Sequence, residues 1–171
     1  MYRGILLFTL LLFFTGCNSK HPHLETVKQV DIQKYKGTWY EIARFEHYFE
    51  KGCRNVTATY DLKDNGDIKV TNECTMIEDN AKKEASGVAY PVDETNSKLK
   101  VSFFRPFYGD YYIIDLANDY SYALVGSPNR ELLWILSRTK TISSQTKNKL
   151  LEKLPALGFD KEKFVWTIQE E

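Results

Sequence analysis

The chain has 171 residues, 43% of them apolar and 14% aromatic, with 23 basic and 23 acidic side chains. That length fits one domain with a sizeable core, and a formal charge of zero leaves no basic field for nucleic acid or an anionic membrane surface. Apolar partners stay open, and a composition rich in Tyr and Phe suits strands and apolar cavities.

At the N-terminus, Arg3 precedes an apolar run over residues 5–14. It is too short for a permanent transmembrane helix and fits the core of an export signal. Thr15-Gly16-Cys17 comes next, and small residues just before a Cys resemble the lipobox of bacterial lipoproteins. The resemblance implies that residues 1–16 are a signal peptide cleaved after Gly16 and that Cys17 is acylated. Asn18, where an Asp would resemble an inner-membrane retention signal, implies anchoring at the outer membrane. Removing residues 1–16 takes away Arg3 alone, leaving 22 basic against 23 acidic side chains, a charge of −1. Residues 17–30 read as an acylated polar tether. The stretch 18–30 has no periodic pattern, and thirteen extended residues reach about 45 Å.

Gly37-Thr38-Trp39-Tyr40-Glu41-Ile42-Ala43-Arg44 opens the first strand after a short polar turn. Strand-like segments then arrive at regular spacing, approximately 38–45, 55–62, 67–76, 83–92, 98–103, 110–116, 120–126 and 131–138, the pattern of an all-β barrel or sandwich. Asp64-Asn65-Gly66-Asp67 is a strong hairpin turn, because Asn and Gly tolerate positive φ. The eighth segment is apolar on both faces over 132–136, so something must cover its outside. Ser143 or Ser144 can cap a helix to about Leu154 that presents Leu150, Leu154 and Leu157 on one stripe. Residues 164–168 read as a last short strand on the barrel wall.

Alternation sorts the faces. Val56, Ala58 and Tyr60 share one side of the second strand, and Leu99, Val101 and Phe103 one side of the fifth. With Tyr111 and Ile113 from the sixth, these are the expected lining of an apolar cavity. Eight antiparallel strands joined in sequence make an up-and-down barrel, whose interior can hold one small ligand. If Trp39 starts at the floor, the eighth strand ends there too, at Arg138, and the loops 46–52, 79–82, 104–109 and 127–130 surround the mouth.

Cys53 and Cys74 remain after export into a compartment that permits disulfides, and an even pair reads as one bridge. Face alignment across the Asn65-Gly66 hairpin puts Cys74 opposite Val56 or Ala58, so a bridge needs a bulge or bend near Gly52.

Gly37 and Trp39, read together with Leu136-Ser137-Arg138-Thr139, resemble the signature blocks of the lipocalins, and the Glu41-Ile42-Ala43-Arg44 extension resembles their bacterial lipoprotein branch. The resemblance spans roughly residues 31–168. It implies an eight-stranded barrel with an outer C-terminal helix, a floor closed by Arg138 stacked on Trp39, and a fatty acid or lysophospholipid as ligand. The implied partners are that ligand, the membrane through the anchor and, optionally, a second copy of the chain. No nucleic acid, cofactor or metal is implied.

Catalytic residues are not evident. His21 and His23 lie in the tether, and two such ligands do not make a zinc site. His47 falls on a mouth loop, where a solvated role is expected and no rigid partner is in view. Glu41 shares a face with Trp39 and Ala43 by alternation; it either contacts a lining Tyr or a ligand headgroup, or sits solvated in a wet interior. Phe103-Phe104-Arg105-Pro106-Phe107-Tyr108-Gly109 is apolar for a mouth loop and reads either as an inward plug or as a lip for an entering acyl chain. The leading reading is a ligand-binding envelope protein and not an enzyme. Beside it stand a lipid-acting enzyme on the same barrel and a structural lipoprotein with a filled interior.

Overall fold

The computed structural model describes residues 21–170; the signal-peptide reading and Cys17 lie outside them. The elements are α1 (Ile32–Tyr35), β1 (Gly37–Phe45), β2 (Cys53–Leu62), β3 (Ile68–Met76), β4 (Lys82–Pro91), β5 (Lys98–Phe104), β6 (Phe107–Leu116), β7 (Tyr122–Gly126), β8 (Leu133–Ser137), α2 (Ser144–Lys153) and β9 (Phe164–Trp166), with a 3-10 turn at Lys161–Lys163. Strands β1 to β8 pair antiparallel in sequence order, and β1 pairs with both β8 and β2 to close the ring. The eight-stranded barrel is therefore closed, with β9 outside the ring on the edge of β1.

The floor is sealed by one clamp. The Arg138 guanidinium lies 3.8 Å from the centre of the Trp39 ring. It donates from Nη1 to the Thr38 carbonyl at 2.8 Å and from Nη2 to the carbonyls of Lys34, Tyr35 and Lys36 at 2.8, 3.0 and 3.0 Å. The last three are C-terminal carbonyls of α1, which have no partner within so short a helix. Trp39 donates its indole N–H to Tyr35 O at 2.8 Å and is wholly buried. Gly37 turns at φ +93°, a conformation that glycine alone adopts freely. A Cβ there would lie 3.5 Å from Arg138 Nη1.

Register shifts occur in β1, β2, β5 and β6, and the first two reshape the β1–β2 side of the mouth half. In β1 the register with β8 shifts between Glu41 and Ala43, so Ile42 is the extra residue. Beyond it the faces exchange: Ala43 and Phe45 turn outward into a second core with α2, and Arg44 turns inward. Glu41 and Ala43 therefore do not share a face, contrary to strict alternation. In β2 the register with β3 shifts between Arg54 and Thr57, and Asn55 sits at φ +50°. This bulge brings Cys53 to Cys74 with Cα atoms 5.6 Å apart, and the two are disulfide-bonded. The bulge falls at Asn55 and Val56, past the expected bend near Gly52, since Asn is one of the few residues that accept a left-handed backbone.

The outer core explains the doubly apolar β8. Leu133 and Ile135 face out beneath α2 while Trp134 and Leu136 face in. Ser143 caps α2 by accepting from Thr146 N at 3.1 Å, and Leu150 and Leu154 are wholly buried against β8. Each such leucine contributes roughly 1.5–3 kcal/mol.

Residues 21–30 are not a free tether. Arg130, in the β7–β8 turn at the mouth, donates to Pro22 O at 2.8 Å. Leu24 is buried in the outer core, Val27 N donates to Ile113 O at 3.0 Å, and Val30 N donates to Thr95 O at the floor at 2.8 Å. The segment thus runs down the outside of the barrel from mouth to floor, held by Leu24, Val27 and Val30, whose spacing of three the expectation of a pattern-free tether passes over.

The clamp predicts that Arg138→Ala lowers stability by about 2–4 kcal/mol, from the lost stacking on Trp39 and the loss of four charge-assisted hydrogen bonds that tie α1 and β1 to the end of β8. Urea denaturation measures this, and an unchanged midpoint contradicts the assignment.

Candidate ligand cavity

Above Trp39 the barrel encloses a cavity of about 630 Å³ that opens at the mouth. Val56, Ala58, Tyr60, Val101, Phe103 and Tyr111 lie on its wall, as alternation places them. Leu99 and Ile113 share that inward face but not the cavity. Both are wholly buried in the floor core with Trp39 and Tyr35, because the barrel fills solid at their level. The expected lining is corrected at these two positions. Phe103 bends across Gly87, where a Cβ would meet its ring at 2.9 Å and the Ser102 carbonyl at 2.6 Å. Phe104 and Phe107 stack on each other, both strongly exposed, so the 104–107 turn is an outward lip and not a plug.

At the base, three hydroxyls meet. Tyr111 Oη lies 2.7 Å from Tyr35 Oη and 2.9 Å from Tyr60 Oη. Burial, followed by the neighbouring tyrosines, raises the pKa of Tyr35 and Tyr111; the hydrogen bond between them opposes the rise at Tyr35 and adds to it at Tyr111, and burial likewise dominates the rise at Tyr60. All three stay neutral, and two mutual hydrogen bonds use two of their three protons. One O–H is left unused within the triad, of which Tyr60 and Tyr111 lie on the cavity wall.

Higher on the β1 side is an ionic cluster. Arg44 Nη1 donates to Glu41 Oε1 at 2.9 Å and Nη2 to Glu50 O at 2.9 Å; Thr167 Oγ1 also donates to Glu41. Glu50 Oε2 lies 3.2 Å from His47 Nε2 and accepts from Trp134 Nε1 at 3.4 Å. Glu41 thus meets neither a lining Tyr nor solvent but its own i+3 arginine. His47, expected on a solvated loop, has a side chain 7% exposed and stacks on Phe49 at 3.8 Å between ring centres. Burial, and next the charge of Glu50, pushes the Glu41 pKa up to about 8. Burial would raise Glu50 as well, but His47, a hydrogen bond from Glu41 and the Trp134 N–H together hold it below the ordinary value. Near neutral pH the pair therefore keeps one proton, on Glu41, and one charge, on Glu50.

A Lipocalin-like domain matches residues 30–169. This chain belongs to the lipocalin family. It is 45% identical over 157 residues to the Outer membrane lipoprotein Blc of Escherichia coli K12, covering 90% of this chain and 89% of that protein. It is 39% identical to Outer membrane lipoprotein Blc of Vibrio cholerae, covering 98% and 99% respectively. Among solved structures, insecticyanin from the tobacco hornworm Manduca sexta superposes with a TM-score of 0.69 at 21% identity, covering 88% of this chain and 87% of its own, which shows the shared fold.

In this lipocalin, Arg44, Glu50 and Trp134 are site residues that alternation alone misses. On a regular strand Glu41 and Arg44 point to opposite faces, and only the Ile42 bulge joins them. The spacing His47-x-x-Glu50 was the one local hint, because three residues within a tight turn can bring two side chains together.

Glu41 sets a pH dependence. Its folded pKa of about 8 lies above the ordinary 4.5, so the folded state holds the extra proton. Its contribution to stability is full below about 4.5 and is lost as pH rises toward and through about 8. Glu50, shifted down, acts in the acid range, where stability falls as pH drops. Glu41→Gln should keep an acceptor for Arg44 and flatten the alkaline fall. Thermal melts across that range measure the slope; equal slopes in both proteins contradict the buried proton.

Proposed function

We propose that this lipocalin is an exported lipoprotein, cleaved before Cys17, acylated on that residue and held at the outer membrane, and that it binds a single-chain amphiphile, a fatty acid or lysophospholipid. The observation that carries the ligand reading is the cavity itself. Its 630 Å³ fall within the range of small-molecule sites, and its wall is largely apolar around a few convergent polar groups. An acyl chain entering it gains about 0.8 kcal/mol per buried methylene, which offsets association costs for part of a chain. The spare tyrosine hydroxyl at the base and the Arg44–Glu50 cluster near the mouth give the polar end two settings. The relatives named Outer membrane lipoprotein Blc support the anchor and the location. The reading is binding, storage or transfer, not turnover.

Native mass spectrometry of delipidated protein with added lysophospholipid tests the ligand. Ala58 is small, lies on the wall and pairs with Trp39 on one side and Asn72 on the other. Ala58→Trp should fill the space above Trp39 and weaken lipid binding at least about tenfold, or 1.4 kcal/mol, in protein shown folded by circular dichroism. Thr59→Trp, on the outer face, should bind as wild type. Equal affinity in all three proteins overturns cavity binding.

The anchor has its own test. Cys17→Ser should leave the membrane fraction and accumulate as folded, soluble barrel. A variant that still pellets with membranes contradicts acylation as the attachment.

A further inference from the structure

The mouth of the barrel is ringed by aromatic side chains that the fold leaves uncovered. Tyr48 is 90% exposed, and beside it Phe49 is half exposed. Phe104 and Phe107 are 76% and 71% exposed. The first pair lies on the β1–β2 loop and the second on the β5–β6 turn, which are diametrically opposite in an eight-stranded ring. Ile77, on the β3–β4 turn between them, is also exposed. The floor turns carry Val92, exposed like Ile77, but no exposed aromatic ring, and are otherwise built from Asp64, Asn65 and Asp67, from Asp93 and Glu94, and from Asn118 and Asp119. Isolated exposed apolar residues are ordinary, but a ring of large ones around a single opening marks a surface that something covers.

The N-terminal segment says what covers it. Pro22 is tied to Arg130 at the mouth, and from there the chain descends to the floor at Val30. Only four peptide steps separate Cys17 from His21, a reach of about 14 Å. An acyl anchor on Cys17 therefore leaves from the mouth end of the wall. A floor-down barrel would need those four residues to double back along the height of the wall before meeting lipid.

We infer that the barrel sits mouth-down on the bilayer that holds its anchor, with Tyr48, Phe49, Phe104 and Phe107 seated at the headgroup level on both sides of the opening. This rests on the acylated Cys17 of the proposed function. Aromatic side chains favour that interfacial depth, and one acyl signal binds more stably when a second contact adds to it. The mouth loops carry both signs of charge, with Lys51, Lys82 and Arg105 against Glu46, Glu78 and Asp79, so the contact is apolar in origin and insensitive to salt. The cavity then opens onto the lipid from which its ligand comes.

In the intact acylated protein Cys17 is modified and Cys53 and Cys74 are bonded, so an engineered cysteine is the one free thiol. Phe107→Cys and Asp119→Cys proteins, each labelled with bimane, are reconstituted into phosphatidylethanolamine–phosphatidylglycerol vesicles containing doxyl-labelled lipid. The Phe107→Cys label should shift to the blue and lose most of its emission to the doxyl groups, equally in low and high salt. The Asp119→Cys label should be unaffected. Adding Tyr48→Ser and Phe104→Ser should leave the protein floating with the vesicles but restore emission from the label at position 107. Co-flotation with an unquenched label at position 107, or with quenching at position 119, overturns the orientation while the anchor stands. A blue shift without quenching assigns the rim to a second copy of the chain and overturns it too. Failure to float at all overturns the anchor and this inference together.

Discussion

Arg138 over Trp39 is the contact from which the rest of the molecule is arranged. One guanidinium stacks on the indole and donates to four backbone carbonyls, three of them the unpaired end of α1. It joins the start of β1 to the end of β8, the two strands that must meet for the sheet to close. A lysine could not substitute for it, because a point charge lacks the planar fork that stacks and donates at the same time. With the floor sealed and packed solid to the level of Leu99 and Ile113, the barrel has one opening, and every loop acquires a definite end of the molecule.

The β1–β2 side of the mouth half obeys a different logic, set by two bulges on adjoining strands. At Ile42 the β1 strand changes faces and leaves β2, and β9 takes the vacated edge at Ala43–Phe45. The C-terminal tail then bridges the gap. Asn55 N donates to Ile168 O at 2.8 Å, and Gln169 Nε2 donates to Glu41 O at 2.9 Å and Val56 O at 2.8 Å. Backbone groups freed by the bulges are thereby paired, as buried polar groups must be. The same distortion brings Arg44 inside to meet Glu41 and brings Cys53 to Cys74. A closed loop spanning a separation of 21 residues contributes about 3 kcal/mol where the wall is least regular.

What the sequence made legible follows this division. Strand positions, the eight-stranded count and the outer helix rest on period-2 alternation and on the helical stripe after β8, while the Arg138–Trp39 pairing comes from the family resemblance of the two blocks that carry them, and the structure shows that contact. Alternation fails wherever one inserted residue inverts the faces, which is why Ala43, Arg44 and the site of the β2 bulge were out of its reach. Leu24 and Val30 escaped for another reason: with Val27 they make only a short run at a spacing of three, and their burial depends on a groove made by strands far away in sequence. His47 likewise looks like any loop histidine until Phe49 and Glu50 fold over the rim. Leu99 and Ile113 show that the correct face does not give the correct depth, since alternation says nothing about where a barrel fills.

The interior is therefore graded along its axis: dry core at the floor, three neutral tyrosine hydroxyls above it, and apolar wall with an ionic cluster on one side below an aromatic rim. Under the proposed function, an amphiphile entering chain-first would place methylenes against Val56, Ala58 and Val101 and its polar end near Glu50, whose charge the buried Arg44 behind it already compensates. That internal compensation matters to the energetics. A lone buried arginine would favour an anionic ligand at the cost of an unstable empty barrel, whereas one already paired with Glu41 and Glu50 gains little from any single headgroup. Selection then falls mainly on the chain, through the length of dry wall between the tyrosines and the rim. If the barrel sits mouth-down as inferred, it needs no more than this, because the membrane beneath it would supply amphiphiles already oriented with their polar ends at the level of the rim.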